Sequence, residues 1–263
     1  MSMLTSRAGP MPFVQPLALR RSTLAILCRL FTVPETEGYR DMSDTESVAM
    51  AQRAFWNSEA TRRWVTEQAR IDRFFAKVTD AALTAAEPRL GESVLDIGCG
   101  TGTTTLRLAD AIGPNGRVLG VDISEQQLGL ARQRVAAAGA THVQLVLDDA
   151  ATHAFAPASF DLGFTRFGVM FFAEPITAFR NIRRAMKPDS RLLLTVFRSG
   201  SENPWATAIV AAIRHLVSPP APLGPEEPGV WSGGVPEGGG LQLSPLQGSG
   251  GGVKGMPPPT RAS

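Results

Sequence analysis

The chain has few of the residues on which several common kinds of site depend. Its 263 residues include two cysteines, three histidines and one tyrosine. Two cysteines are too few for a disulfide framework or a cysteine-based metal site, so we predict no metal centre. The formal net charge of +2 disfavours nucleic acid as a partner, and no basic run is interleaved with aromatic residues. No apolar run approaches the roughly 18 residues of a membrane span, so we expect a cytoplasmic protein without one.

The most informative segment is residues 94–102, which read Val-Leu-Asp-Ile-Gly-Cys-Gly-Thr-Gly. The apolar residues around Asp96 predict a short buried strand, and the stretch that follows the glycines predicts a helix. Gly98, Gly100 and Gly102 lie between the two, where the absence of a Cβ lets a ligand approach the backbone N–H groups. A glycine turn between a strand and a helix N-terminus is where α/β proteins bind charged cofactors.

The spacing of these glycines separates two classes of cofactor. A dinucleotide-binding loop has its third glycine three residues after the second, whereas here Gly102 follows Gly100 by two. The carboxylate of Asp96 would repel a pyrophosphate and would pair well with the ammonium group of a ligand. The pattern Asp-x-Gly-x-Gly-x-Gly closely resembles the first motif of the class I methyltransferases that depend on S-adenosylmethionine (SAM). The resemblance implies SAM as the cofactor and a glycine loop that binds it.

A second apolar strand, residues 118–122, ends in an acid at the spacing that a ribose-binding carboxylate requires. Asp122 lies about 20 residues after the glycines. Its two acceptor oxygens can take both ribose hydroxyls, and Ile123 offers an apolar face for adenine. We therefore predict that Asp122 and Ile123 bind the nucleoside.

A third strand, residues 143–147, ends in the acidic pair Asp148 and Asp149, followed by Ala150. In the methyltransferase family this corner reads the adenine, with an acid that accepts from the exocyclic amine and a backbone N–H that donates to the ring. The resemblance assigns these roles to Asp149 and Ala150, and it leaves Asp148 as a solvated neighbour.

The fourth predicted strand, residues 160–165, leads into the block Arg-Phe-Gly-Val-Met-Phe-Phe. This block and the helix after it, which is predicted to end at Pro188, resemble a bacterial (UbiE-like) subgroup of small-molecule methyltransferases. Thr165 and Arg166 are predicted to contact the cofactor. Arg166 could touch the cofactor carboxylate or the acceptor, or it could form an ion pair with a nearby acid.

These motifs predict an α/β fold over residues 42–217, with a Rossmann-like, doubly wound, mostly parallel sheet. The family's sheet finishes with an antiparallel hairpin. No segment past residue 217 alternates between apolar and polar residues for long enough to form either strand of it. We therefore expect the hairpin to be missing and the fifth strand, residues 192–197, to be an exposed edge. Residues 218–263 are rich in Gly and Pro, and we expect a disordered tail, produced by a frameshift or a lineage-specific linker.

The N-terminal 41 residues are also expected to be disordered and dispensable. They are rich in arginine and interrupted by proline. Three interpretations stay open for this segment: an organellar targeting sequence, a failed secretory signal, or a start site misassigned upstream of Met42 or Met50.

Methyl transfer from SAM requires positioning rather than a nucleophilic side chain, so we assign no catalytic residue. An oxygen acceptor can need a general base, and His142, His153 and His215 are the candidates, although an ordinary packing role explains each. Trp56 and Trp64 lie in a helical stretch and are either core residues or cation–π partners of the sulfonium.

The sequence favours a SAM-dependent methyltransferase that acts on a small-molecule acceptor. Two alternatives remain: another enzyme on the same nucleoside-binding core, or a truncated SAM-binding protein with little or no catalytic activity. The acceptor is not specified by the motifs. Arsenite is disfavoured because its chemistry needs several thiols, and the sequence after the fourth strand differs from that of the usual quinone enzymes.

Overall fold

The computed structural model describes residues 14–20 and 42–197, with side chains from residue 46 onward. Cys28, His215 and the tail at residues 218–263 lie outside the described residues, as does most of the N-terminal segment. The strands are β1 Val14–Arg20, β2 Ser93–Ile97, β3 Arg117–Asp122, β4 Val143–Leu147, β5 Phe160–Arg166 and β6 Met186–Phe197. The helices are α1 Met42–Trp56, α2 Arg63–Thr66, α3 Gln68–Ala86, α4 Thr103–Ile112, α5 Glu125–Ala137 and α6 Pro175–Ala185.

The described strands form one sheet in the order β1-β6-β5-β2-β3-β4. Strands β2 to β6 run parallel, so their order is 3-2-1-4-5 along the chain. This arrangement confirms the predicted doubly wound α/β fold. The strand order reverses beside β2, and open α/β sheets bind ligands at such a switch point, outside the carboxyl ends of the strands.

Helices cover both faces of the sheet because the parallel strands are apolar on both sides. One face packs against α3 and α4 and buries Val94, Leu162 and Leu193. The opposite face buries Leu95 and Leu192 with residues of α6. Within the described part of the chain, no helix is both long and apolar enough to cross a bilayer.

An antiparallel strand covers the outer edge of β6, which the sequence analysis expects to be exposed. Val14 pairs with Phe197 and Arg20 with Arg191, in unbroken register. The expected exposed edge is therefore wrong over these residues, and the expectation of disorder is wrong at residues 14–20. The physical reason is that β6 offers unpaired N–H and C=O groups to any extended segment. Pro16 argues against a central strand, but an edge strand accommodates it because its missing N–H can face outward.

Helix α6 ends earlier than the predicted stop at Pro188. Its last residue is Ala185, and Met186 is already extended, with φ −80° and ψ 137°. Pro188 lies inside β6, where the pairing with β5 shifts between Phe160 and Leu162. A proline disfavours helical conformation in the residue before it, so the helix stops ahead of the proline rather than at it.

Candidate functional site

A cavity of about 670 Å³ opens at the carboxyl ends of the parallel strands, at the switch point. Seven of the predicted site residues line it, namely Gly98, Gly100, Asp122, Ile123, Asp149, Ala150 and Arg166. Asp96, Gly102 and Thr165 are not on its wall. Gly102 precedes the first turn of α4, and Thr165 is fully buried in β5.

The glycine loop is held in left-handed conformations that favour glycine. The φ angles of Gly98, Gly100 and Gly102 are 67°, 55° and 79°. A Cβ on Gly98 would lie 2.8 Å from the Cα of Gly168, in the loop after β5. The N–H of Gly98 donates to the carbonyl of Val121 at 2.9 Å. The loop is therefore fixed against both strands that flank β2.

Asp122 lies at the end of β3 and accepts two backbone hydrogen bonds. Its Oδ2 accepts from the N–H of Gly100 at 2.7 Å, and its Oδ1 accepts from the N–H of Ser124 at 2.8 Å. Burial raises the pKa of Asp122, and the backbone N–H groups partly offset that rise. Each carboxylate oxygen has a second acceptor site, so the side chain can still accept ligand hydroxyls.

The acidic corner after β4 places both carboxylates on the cavity. Asp149 accepts the N–H of Ala151 at 2.8 Å, and Ala150 is buried between them. Asp148 also lines the cavity and lies 2.8 Å from Nδ1 of His153. Burial opposes ionisation of Asp148, but hydrogen bonds from His153 and from the Asp149 N–H give its carboxyl a lowered pKa. Asp148 thus pairs with His153 while its side chain, 41% exposed, keeps the solvent contact expected of it.

Neither described histidine lines the cavity. His153 is held by Asp148, and Nε2 of His142 lies 3.1 Å from the carbonyl of Ala109. Cys99 does line the cavity, and burial raises the pKa of its thiol, which keeps it protonated. These contacts support packing roles for His142 and His153.

Arg166 brings a buried positive charge to the cavity wall. Its guanidinium donates to Oγ1 of Thr79 at 2.7 Å, and Cζ lies 5.8 Å from the centroid of the Phe75 ring. It forms no salt bridge with any carboxylate of the described residues. Burial lowers the pKa of Arg166, and the charges of Asp72 and Asp96 oppose that effect. The ion pair considered from the sequence is therefore not formed among the described residues, and Arg166 lines the cavity.

Asp96 lies beneath the glycine loop with no exposed surface. Its Oδ2 accepts from the hydroxyls of Thr104 and Thr105 at 2.8 and 2.6 Å. Its Oδ1 is buried without a hydrogen-bond partner among the described residues. Burial raises the pKa of Asp96 to about 6. Thr104, rather than Asp96, reaches the cavity, so Asp96 supports the first turn of α4.

Two residues that the sequence analysis misses clamp the loop from the outside. Arg134 of α5 donates to the carbonyl of Thr101 at 2.8 Å and to Oγ1 of Thr103 at 2.9 Å. Asp72 of α3 accepts from Thr103 at 2.7 Å and pairs with Arg134 at 3.3 Å. No signal in the sequence distinguishes Asp72, which is one of two acids in α3.

A lid segment, residues 56–61, is fastened to the corner between β3 and α5. The side-chain amide of Asn57 donates to the carbonyl of Ile123 at 3.0 Å, and its oxygen accepts the N–H of Glu125 at 2.9 Å. Ser124 and Gln126 both donate to the carbonyl of Trp56, at 2.7 and 2.9 Å. These contacts hold the lid over the predicted adenine face.

Eight aromatic side chains on the cavity surface form what we call the aromatic wall. Its members come from α1, the lid, α2, α3, β6 and the loop after β5, and they are Phe55, Trp56, Trp64, Phe75, Phe167, Phe171, Phe172 and Phe197. The sequence analysis picks out Trp56 and Trp64 but not the phenylalanines after β5. The cavity therefore combines carboxylates on one side of β2 with a guanidinium and aromatic rings on the other.

Residues 94–189 match the family model described as a methyltransferase domain. The chain contains a class I SAM-dependent methyltransferase domain. The match begins with β2 and extends into β6, so it contains every predicted cofactor-binding residue. SAM is the methyl donor of this family.

Three of the curated relatives each match less than half of the chain. The chain is 33% identical over 122 residues to nocamycin O-methyltransferase of Saccharothrix syringae, covering 46% of this chain and 44% of that protein. It is 32% identical over 130 residues to aklanonic acid methyltransferase DauC of Streptomyces sp. strain C5, covering 49% of this chain and 59% of that protein. It is 37% identical over 98 residues to demethylmenaquinone methyltransferase of Geobacillus stearothermophilus, covering 37% of this chain and 42% of that protein.

The chain thus spans about half the length of the curated relatives it matches. Among solved structures, a SAM-dependent methyltransferase from Aquifex aeolicus superimposes with a TM-score of 0.41 at 24% identity. That superposition covers 43% of this chain and 61% of the other.

Proposed function

We propose that this chain transfers the methyl group of SAM to a small-molecule acceptor. The observation that carries the proposal is that one cavity contains both the acids predicted to bind the nucleoside and a separate aromatic wall. Ligand pockets combine a mostly apolar lining with a few convergent polar groups that fix orientation, and this cavity has that composition.

The described residues fit SAM part by part. Asp122 has acceptor positions left for the ribose hydroxyls, and Asp149 with Ala150 can read the adenine. Arg166 has no carboxylate partner among the described residues and suits the methionine carboxylate. Asp96, which the sequence pairs with the ammonium group, is buried off the cavity wall, so its charge would act on a bound cofactor only from beneath the glycine loop.

The chain's contribution to chemistry is orientation and exclusion of water. When bound, SAM supplies a methyl group already activated by its sulfonium, so an in-line displacement needs no nucleophilic side chain. The aromatic wall and the lid would hold the acceptor against the methyl and keep water out. Trp56 and Trp64 also present rings that can attract a positive charge.

The activities named for the relatives support a small-molecule acceptor and do not select one. Nocamycin, aklanonic acid and demethylmenaquinone name three different compounds. We therefore propose a small-molecule acceptor without naming the compound.

The test is to follow conversion of SAM to S-adenosylhomocysteine by the purified full chain across a panel of small hydroxylated, amino and carboxylic acceptors. We expect acceptor-dependent product and a methylated acceptor of the correct mass. Tight binding of SAM without turnover on any acceptor would favour the truncated SAM-binding alternative. Failure to bind SAM would refute the proposal.

A further inference from the structure

Two neighbouring glutamines in the first turn of α5 make very different contacts. The side-chain amide of Gln126 donates to the carbonyls of Trp56 and Ser58, at 2.9 and 3.2 Å, and so fastens the lid. The side chain of Gln127 forms no hydrogen bond with any of the described residues. Gln127 is only 5% exposed, and it lines the cavity. An amide in such a place costs stability unless a ligand supplies its partner.

The start of α5 shows why the Gln127 amide is left over. Residues 124–127 have the pattern of a capping box, in which the side chain of the third helical residue accepts the N–H of the N-cap residue. Half of the box is present, because Oγ of Ser124 accepts the N–H of Gln127 at 3.4 Å. The other half is replaced, because the N–H of Ser124 donates to Oδ1 of Asp122 at 2.8 Å. Asp122 therefore releases the Gln127 side chain from the cap.

The released amide lies against the glycine loop. Oε1 of Gln127 is 2.9 Å from the position that a Cβ on Gly100 would occupy, so the bare backbone of Gly100 makes room for it. The N–H of Gly100 donates to Oδ2 of Asp122 at 2.7 Å. Gln127 from α5 and Asp122 from β3 thus approach the same loop residue, and both line the cavity.

We propose that the side-chain amide of Gln127 donates to a ribose hydroxyl whose own proton is accepted by Asp122. This inference rests on the proposed function. A hydroxyl both donates and accepts, whereas a carboxylate only accepts. Asp122 therefore leaves the hydroxyl oxygen without a donor, and the nearby N–H of Gly100 is already bonded to Asp122. The amide of Gln127 has two N–H groups to donate and lies beside the same residue of the loop.

The test is calorimetric titration of S-adenosylhomocysteine, and of its 2′-deoxy and 3′-deoxy analogues, into the full chain and into Gln127→Met. Methionine is as long as glutamine and has no donor. We expect S-adenosylhomocysteine to bind the variant about three- to tenfold more weakly, which corresponds to one neutral hydrogen bond. One of the two deoxy analogues should bind the variant and the wild type equally, because it lacks the hydroxyl that the amide contacts.

Thermal melts separate this role from a structural one. Gln127→Met should melt at the temperature of the wild type or above it, because an apolar group of similar shape replaces a buried amide that has no partner in the protein. A side chain that only supported the helix would give the opposite result, with lower stability and an equal loss of affinity for all three ligands.

Gln133→Met is the matched control, because it makes the same change at an exposed position of α5 that does not line the cavity. It should leave all three affinities unchanged. Undiminished binding of S-adenosylhomocysteine by Gln127→Met, an equal loss for all three ligands, or a variant that fails to fold would overturn the inference. Failure of S-adenosylhomocysteine to bind the wild type would instead refute the proposed function on which the inference depends.

Discussion

The carboxylate of Asp122 accepts the N–H of Gly100 at 2.7 Å, so the acid that ends β3 also fixes the loop that follows β2. The predicted ribose ligand and the predicted glycine loop are therefore one structural unit. A substitution at Asp122 therefore acts on the predicted ligand contact and on the loop together.

Gly98→Ala should destabilise the fold more than Gly91→Ala. Both glycines have positive φ, 67° and 80°, so an alanine at either position costs about 1–2 kcal/mol in backbone strain. A Cβ at Gly91 meets nothing within 4 Å, whereas at Gly98 it would lie 2.8 Å from backbone Cα of Gly168. Urea unfolding of the two variants measures the difference, and equal losses would contradict the tight approach of the two loops.

Arg134→Met should weaken SAM binding and lower stability, because the clamp on the Thr101 carbonyl is lost. Loss of a charge-assisted hydrogen bond that leaves a partly buried carbonyl without a partner costs about 1–3 kcal/mol of stability. Arg132→Met is the matched control on the same helix, since its exposed ion pair with Glu125 is worth less than about 1 kcal/mol. Calorimetry and thermal melts compare the variants, and similar behaviour of the two would show that the loop needs no clamp.

Asp96→Asn should stabilise the fold at neutral pH and flatten its pH dependence. Burial raises the pKa of Asp96 to about 6 from its ordinary 3.8, so between these values the folded state binds more protons than the unfolded state. Stability from this group is therefore highest below pH 3.8 and falls as pH rises to about 6, by up to about 3 kcal/mol. The measurement is the free energy of unfolding from pH 4 to 8.

Asp122 also lowers the stability as pH rises, because its pKa is raised too. The difference in unfolding free energy between the wild type and Asp96→Asn therefore isolates the effect of Asp96. A variant whose stability falls with pH as steeply as that of the wild type would contradict the buried ionisable group.

Removal of residues 1–41 should lower the melting temperature and promote self-association. The deletion removes β1 and leaves the outer N–H and C=O groups of β6 unpaired. A chain that starts at Val14 is the control, since it keeps β1 and should melt near the full chain. Size-exclusion chromatography and thermal melts report both effects. Equal behaviour of the two truncations would restore the expectation from the sequence that this segment is dispensable.

The sequence predicts β2 to β5 closely because each is a short apolar run beside a turn, and the signal is local. Asp122 and the glycines are predicted for the same reason, since their spacing depends only on the chain between them. Asp72 and Arg134 are separated by 62 residues and meet only after α3 and α5 pack, so no local pattern marks them. The pairing of β1 with β6 is likewise set by an edge at the other end of the domain.

Phe167 illustrates a different limit. The block Arg166–Phe172 is visible in the sequence, but nothing in it indicates that Phe167 adopts a positive φ. That conformation follows from the hydrogen bond to Thr195 and from packing against Phe197, which lie in another strand. Strain imposed by long-range contacts cannot be inferred from composition or periodicity.

Calorimetric titration of SAM into the full chain and into Asp122→Asn tests the central claim most directly. Asn keeps one acceptor oxygen and the size of the side chain but loses the charge, so the affinity should fall about 10- to 100-fold. Asp110→Asn, which changes an exposed acid of α4 away from the cavity, is the control and should bind like the wild type. Unchanged affinity in Asp122→Asn would contradict the assignment of this cavity to SAM.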